Sequence, residues 1–479
     1  MIKRRDLLRT TGGAILALPL TRLRGETISV TDTLSAYMAA ARDRALPAEV
    51  VEKAKHHIVD TLAAMISGST LPPGKLGIEF ARAHQGDKVA TIPATNIVCG
   101  PMEAAIANGL LAHSDETDDS HAPSQSHPGC AVVPAALAMA EQMGNVDGNR
   151  FLRAVVLGYD IGPRVTMTLG ALPYQMETHR SSHSIAGTFG ASAAAASVAS
   201  LNAHQMRWVL DYAAQQASGI AAWQRDTEHI EKSLVFAGMP ARNGVTAALL
   251  IQLGGSGVED VFSGPDNFLS AFAPKVDPVG LIDKLGERFE IARTNIKKWT
   301  VGSPIQAALD AMENIRTRRP FEARDVKSVI VRLSISDAKT VNNREMPDIS
   351  LQHMAAVMLM DKTATFAAAH DRERMKDAAL LRERAKVELA PDADLEKLNP
   401  KRVAIVEITL NDGTKLVDRV DDVRGTAENP MPRSEIVSKA RDLITPVLGA
   451  KKTNALIDQI LNIEALKNVR ELRPLLQVG

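Results

Sequence analysis

GTFGASAAAASVASLN, Gly187 to Asn202, is apolar on nearly every side of a helical wheel, and almost all of its side chains are small. A helix that is apolar all round is a buried one, and Ala and Gly at this density suit helices packed closely on one another. MRWVLDYAAQQASGI (Met206–Ile220) reads the same way. Upstream, AEVVEKAKHHIVDTLAAMISG (Ala48–Gly68) places Val51, Ala54, Ile58, Leu62 and Met65 at three- and four-residue spacing and ends in glycine. VVPAALAMAEQMG (Val132–Gly144) and FLRAVVLGYDIGPRV (Phe151–Val165) repeat the theme. Helix is therefore expected from about Ile28 to Phe272.

The pattern changes near Phe289. DVKSVIVRLSIS (Asp325–Ser336) and VAIVEITLNDGTKLVDRV (Val403–Val420) alternate with β-branched residues at period two. The second contains the turn Asn411-Asp412-Gly413, a hairpin signal. Between them LQHMAAVMLMDKTATFAAAHD (Leu351–Asp371) is helical in pattern, and SEIVSKARDLITPVL and TNALIDQILNIEALKNV return to helix near the C-terminus. The expected fold class is mainly α. A large all-helical domain spans 27–294, a smaller α/β lid domain spans 295–429, and C-terminal helices over 430–479 return to the first.

A chain of 479 residues is too long for one small core. Its 56 basic and 56 acidic residues balance, and no Lys/Arg stripe follows any helix, which argues against nucleic acid or an anionic membrane as the main partner. The two cysteines, Cys99 and Cys130, make neither a disulfide framework nor a metal motif. MIKRRDLLRTTGGAILALPL has an Arg4-Arg5 pair and an apolar run too short to span a bilayer. Residues 1–26 read as a twin-arginine signal, so a periplasmic location is expected, with a cytoplasmic one as the alternative. No later stretch reads as transmembrane, and no stable membrane insertion is expected.

HSDETDDSHAPSQSHPG, His113 to Gly129, concentrates histidines and carboxylates in an otherwise bland sequence. His113, Asp115, Asp118 and His121, with His127 added, offer metal-ligand chemistry, but there is no HExxH and no EF-hand register. The residue types also suit a solvated loop. A third reading is a metal-free catalytic loop, because His127-Pro128 sits where a helix starts. A histidine there stands beside N–H groups that attract anions. Three other stretches supply partners: THRSSHSIAGTFG with His179 and His183, EKSLVFAGMPARNG with Lys232, and NIKKWTVGSP with Lys297 and Lys298. They recur at helix junctions, where chain reversals can bring them together.

These blocks, in this order, resemble the MmgE/PrpD family, which includes 2-methylcitrate dehydratase, cis-aconitate decarboxylase and iminodisuccinate epimerase. The match runs through KAKHHIVDTLAAMISGS, the central ANGLLAHSDETDDSHAPSQSHPGCAVVPAALAMAE, GYDIGPRV, IAGTFGASAAAA, EKSLVFAGMPARNGVTAALL and KKWTVGSPIQAALDA. The resemblance implies a helical domain and an α/β lid, a homodimer, and an active site between the domains with no metal or organic cofactor. It places the family's acid on Glu116, followed by Asp118, Asp119 and Ser120, its loop histidine on His127, and its lysines on Lys232 and Lys297. The family's second histidine falls on Ser181 here, flanked by His179 and His183. His113 and His121 are expected to support rather than react.

The expected chemistry is cofactor-independent lysis of a small polycarboxylic acid. Lys232 and Lys297, with Ser120, would bind substrate carboxylates. His127, or one of His179 and His183, would move a proton. Glu116 and Asp118 would orient the histidine or protonate a departing hydroxyl if burial raises their pKa. The resemblance favours dehydration of a 2-methylcitrate-like acid. Decarboxylation, epimerisation, and carboxylate binding without chemistry are the alternatives.

Overall fold

The computed structural model describes residues 29–478; the expected export signal at 1–26 lies outside them. Two hydrophobic cores organise the chain. The larger draws buried side chains from Leu34 to Ile296 and again from Met431 to Leu476, and the smaller draws them from Trp299 to Val423. The fold is mainly helical, as the patterns predict, with one four-stranded sheet and a two-stranded ribbon pairing Ala90–Thr91 with Val98–Cys99.

At the heart of the larger core, helices Gly148–Leu169 and Ser182–Val198 pack on each other. Glycines make this approach possible. A Cβ on Gly162 would lie 2.3 Å from the Ala186 carbonyl oxygen, and one on Gly190 would lie 2.7 Å from that of Gly158. The helix Ala48–Gly68 departs from the expected single apolar stripe, because every residue from Ala54 to Gly68 is buried. Its polar face is covered by the C-terminal helices over Arg433–Leu461, which meet at a kink at Gly449, and the turn after them. Lys439 Nζ sits 2.6 Å from Asp60, and Lys55 Nζ sits 2.7 Å from Glu464.

In the smaller core, strand Val326–Ser334 pairs in parallel with Val387–Asp392 and antiparallel with Ala404–Leu410, which pairs antiparallel with Lys415–Val420. The last two strands form the expected hairpin, with Gly413 at φ 87° in its turn. Ser303–Arg318 and Leu351–Asp361 pack on this sheet. The helical stretch after Leu351 is not continuous. It breaks at Lys362 (φ 67°) and resumes as the short helix Phe366–His370.

One sequence expectation needs correction. The helical run Ile230–Gln252 is long and apolar enough to cross a membrane by composition, although 61% of its apolar 18-residue stretch is buried inside the protein. Its length is hidden in the sequence by Gly238 and Pro240, which read as breakers, whereas the chain passes through them by a widened π-helical turn at Leu234–Gly238.

Substituting Gly162 with Ala must push the Ala186 backbone away, so it is expected to cost about 1–3 kcal/mol as an overpacked contact. Thermal unfolding should show a lower Tm for Gly162→Ala. An unchanged Tm would mean the two helices are not packed this closely.

Candidate active site

The 113–129 stretch leaves helix Pro101–Ala112 at His113 and enters helix Pro128–Met143 with His127 as its N-cap and Pro128 in the first turn. It is not a solvated loop. His113, Asp115, Glu116, Asp118, Asp119, His121 and His127 are all buried, none more than 9% exposed. Buried ionisable groups require partners, and these come from distant parts of the chain.

Lys232, on the short helix Ile230–Ser233, forms an ion pair with Glu116. Lys297, from the segment joining the two cores, donates to the Glu116 carbonyl oxygen at 2.8 Å. Its Nζ also stands 3.6 Å from the Glu116 carboxylate and 3.8 Å from that of Asp118. Asp118 faces two imidazoles. His127 Nδ1 lies 3.2 Å from both of its oxygens. His113 Nδ1 lies 3.0 Å from Oδ1, at ion-pair distance but off the hydrogen-bond line.

An aromatic floor underlies the cluster. The Phe236 ring stacks on His183 at 3.8 Å and on His113 at 4.7 Å between centroids, with Trp223 edge-on at 4.7 Å. His127 lies 5.0 Å from His113 and 5.4 Å from His183, while His229 lies 5.1 Å from His113. Four imidazoles and two ammonium groups thus surround Glu116 and Asp118.

This arrangement overturns one expectation about the acids. Burial alone favours neutral carboxyls, but Lys232, Lys297, His229 and His113 outweigh it and hold Glu116 well below the usual range. His113 and His127 do the same for Asp118. In the free protein both are therefore held in the ionised form. The imidazoles go the other way. Burial lowers His127 against the pull of Asp118, and burial with neighbouring cations pushes His183 and His229 well down.

The remaining expected residues divide. Asp119 binds His57 Nδ1 at 2.7 Å, the Tyr159 hydroxyl at 2.5 Å and the Gly129 N–H at 3.0 Å. With both oxygens occupied, it anchors the loop from below rather than facing the cluster. The Ser120 backbone pairs with Asn295. Both His121 ring nitrogens are taken up by Ser124 and Glu290, away from Glu116 and Asp118. His113 sits among the imidazoles, next to His127, His229 and Asp118. His179 is a correction: it caps helix Ala171–Thr178 in a left-handed turn (φ 57°), and its side chain is exposed. The next helix begins immediately, with Ser181 as its N-cap, and carries His183 into the cluster.

Sequence reasoning missed His229, Asp348 and His370. His229 lies three residues before Lys232, a spacing that signals its presence once Lys232 is suspected. Asp348 and His370 come from the smaller core's chain. Asp348 is buried, and burial raises it to about 6 against the pull of His370. Burial opposes the His370 charge, but Asp115 and Asp348 outweigh it and lift His370 to about 9. An open groove of about 550 Å³ elsewhere, lined by Lys298, Asp310 and Arg424 among others, shares no residue with this cluster.

Model matches to the MmgE/PrpD N-terminal domain over residues 32–279 and to the MmgE/PrpD C-terminal domain over 299–464 cover most of the chain. The chain belongs to the MmgE/PrpD family. Its similar relatives include cis-aconitate decarboxylase of Homo sapiens, 26% identical over 472 residues, with 94% of this chain and 95% of the relative covered. The cis-aconitate decarboxylase-like protein oryM of Aspergillus oryzae is 24% identical over 483 residues, covering 94% and 97%. Cis-aconitate decarboxylase of Aspergillus terreus is 23% identical over 466 residues, covering 90% and 92%.

Donor atoms of His113, Asp118 and His127 lie within 4.8 Å of one another, a set that can hold a metal ion. Against that use, the Lys297 ammonium already stands beside the Asp118 carboxylate and would repel a second cation. Elemental analysis of this MmgE/PrpD protein should find less than stoichiometric metal, with turnover unchanged in EDTA. One tightly held metal per chain, and loss of activity on its removal, would reverse that reading.

Proposed function

We propose that this protein is a cofactor-independent carboxy-lyase acting on a small unsaturated polycarboxylate of the cis-aconitate kind. The observation that carries the reading is the charge state of the site. Lysine cations and proton-accepting imidazoles surround Glu116 and Asp118, which are both held ionised. Such a site can hold substrate carboxylates and stabilise a carbanion, but its loop lacks a neutral acid for a departing hydroxyl. The relatives named as cis-aconitate decarboxylases, aligned over nearly the whole chain, support the same choice over the dehydration first expected.

In this reading, substrate carboxylates take up Lys232 and Lys297. The bond between a substrate carbon and one carboxylate breaks, carbon dioxide leaves, and the electron pair stays on carbon, spread into the adjacent double bond. His127 then supplies the proton. Its Nδ1 is committed to Asp118, which leaves Nε2 as the working atom. Burial keeps the imidazole neutral in the free protein. A bound polyanion favours its protonated form, so Nε2 takes up a proton from solvent as substrate binds and then delivers it to carbon. Removing one preorganised oxyanion-type donor costs other enzymes about 3–4 kcal/mol, which sets the scale for such stabilisation.

A second reading, dehydration, has one specific observation in its favour. Asp348, at about 6, is the acidic side chain near Glu116 and Lys232 that is easily protonated. It predicts water loss from a hydroxy acid, abolished by Asp348→Asn.

Incubation with cis-aconitate, 2-methylcitrate, citrate and iminodisuccinate in D₂O, followed by NMR, separates these readings. Decarboxylation with one deuterium incorporated at carbon is expected from cis-aconitate or a close analogue. His127→Ala should lower kcat by about 10²–10⁴-fold, while Lys232→Ala and Lys297→Ala raise KM as well. Water loss without carbon dioxide release, or near-wild-type turnover by His127→Ala, would contradict the proposal.

A further inference from the structure

Cations from three separate parts of the chain hold the short segment Asp115–Asp118. Lys297 donates to the Glu116 carbonyl at 2.8 Å, and Lys439 of the C-terminal helix donates to the Thr117 carbonyl at 2.9 Å. The third is His370, whose Nε2 lies 2.9 Å from Asp115 Oδ2, at ion-pair distance though off the ideal hydrogen-bond line. Asp115 in turn accepts from the Thr117 N–H at 3.0 Å and from the Thr117 hydroxyl at 2.5 Å, folding the chain tightly around Glu116. The His370 ring is itself fixed, because Nδ1 donates to the Phe366 carbonyl at 2.8 Å.

His370 differs from the two lysines in where it comes from. Its helix, Phe366–His370, straddles both cores. Ala368 and Ala369 belong to the smaller core, whereas Phe366 packs against the larger one. The Phe366 N–H also donates to Asp442 on the C-terminal helix at 3.2 Å. A shift of the smaller core therefore pulls on Asp115, and through Thr117 on the residues either side of it.

We propose that His370 is a positioning residue that makes the geometry of the Glu116–Asp118 segment depend on docking of the smaller core. It acts through Asp115 and does not itself touch substrate. The proposal rests on the reading of this cluster as the active site.

The test combines kinetics with hydrogen exchange on the full-length protein. His370→Gln should lower kcat by about 10²-fold, the scale of loss from a misplaced catalytic group, with a smaller change in KM. His370→Lys, which keeps a cation within reach of Asp115, should recover much of the loss. Asp115→Asn should resemble His370→Gln, and the double variant should be no worse than either single one. Amides of residues 114–118 should exchange faster in both single variants without substrate. Should His370→Gln fail to fold, Asp115→Asn makes the same comparison from the other side. Wild-type kcat with unchanged exchange in the single variants, or additive losses in the double one, would overturn the proposal. If the wild-type protein turns over no polycarboxylate, the functional reading fails, while the exchange comparison still decides whether His370 holds the segment.

Discussion

Glu116 and Asp118 are ionised carboxylates with almost no access to water. Burying an uncompensated charge costs about several kcal/mol even after the protein relaxes, so their surroundings must supply positive charge. That requirement explains why a lysine from a short helix and a lysine from the junction between cores converge on the loop, whose own His113 and His127 flank Asp118. The price of this convergence is a buried polar network beneath it. There His57, Tyr159 and the Gly129 N–H saturate Asp119, and Lys439 and Asp60 neutralise each other. The two ammonium groups are also suited to receiving a polyanion, because arriving carboxylates can take over the partners that Glu116 and Asp118 hold in the free protein.

The scaffold has a matching logic. Ala- and Gly-rich helices approach until backbone meets backbone, as at Gly162 and Gly190, which leaves little freedom for the loop they support. Rigid elements hold reacting groups more accurately than mobile ones. His127 benefits directly: it is the N-cap of a buried helix, and its ring is oriented by Asp118.

Much of this was legible in the sequence. All-round apolarity in Gly187–Asn202 marked the buried helices, period-two alternation around Asn411-Asp412-Gly413 marked the hairpin, and His127-Pro128 marked a helix start. The acidic loop also stood out by composition, and Lys232 and Lys297 do converge on it. Local pattern could not decide between His179 and His183, because a single left-handed residue between two helices turns one ring outward and the other inward. Nor could it reveal His370 or Asp348, which lie more than two hundred residues from the loop and carry no motif. Protonation states were the hardest to foresee. Burial predicts raised acids, and only the distances to the Lys232 and Lys297 ammonium groups and to the His113 and His127 rings show that these partners outweigh it.

Ionisation of the buried carboxylates is the claim on which the rest turns, and infrared difference spectroscopy reads it directly. Spectra of the wild-type protein minus Glu116→Gln, and minus Asp118→Asn, should show at neutral pH the loss of carboxylate stretches and no protonated-carboxyl band. A protonated-carboxyl band lost in either difference would mean that burial, not ion pairing, governs that residue, and the charge argument for decarboxylation over dehydration would no longer stand.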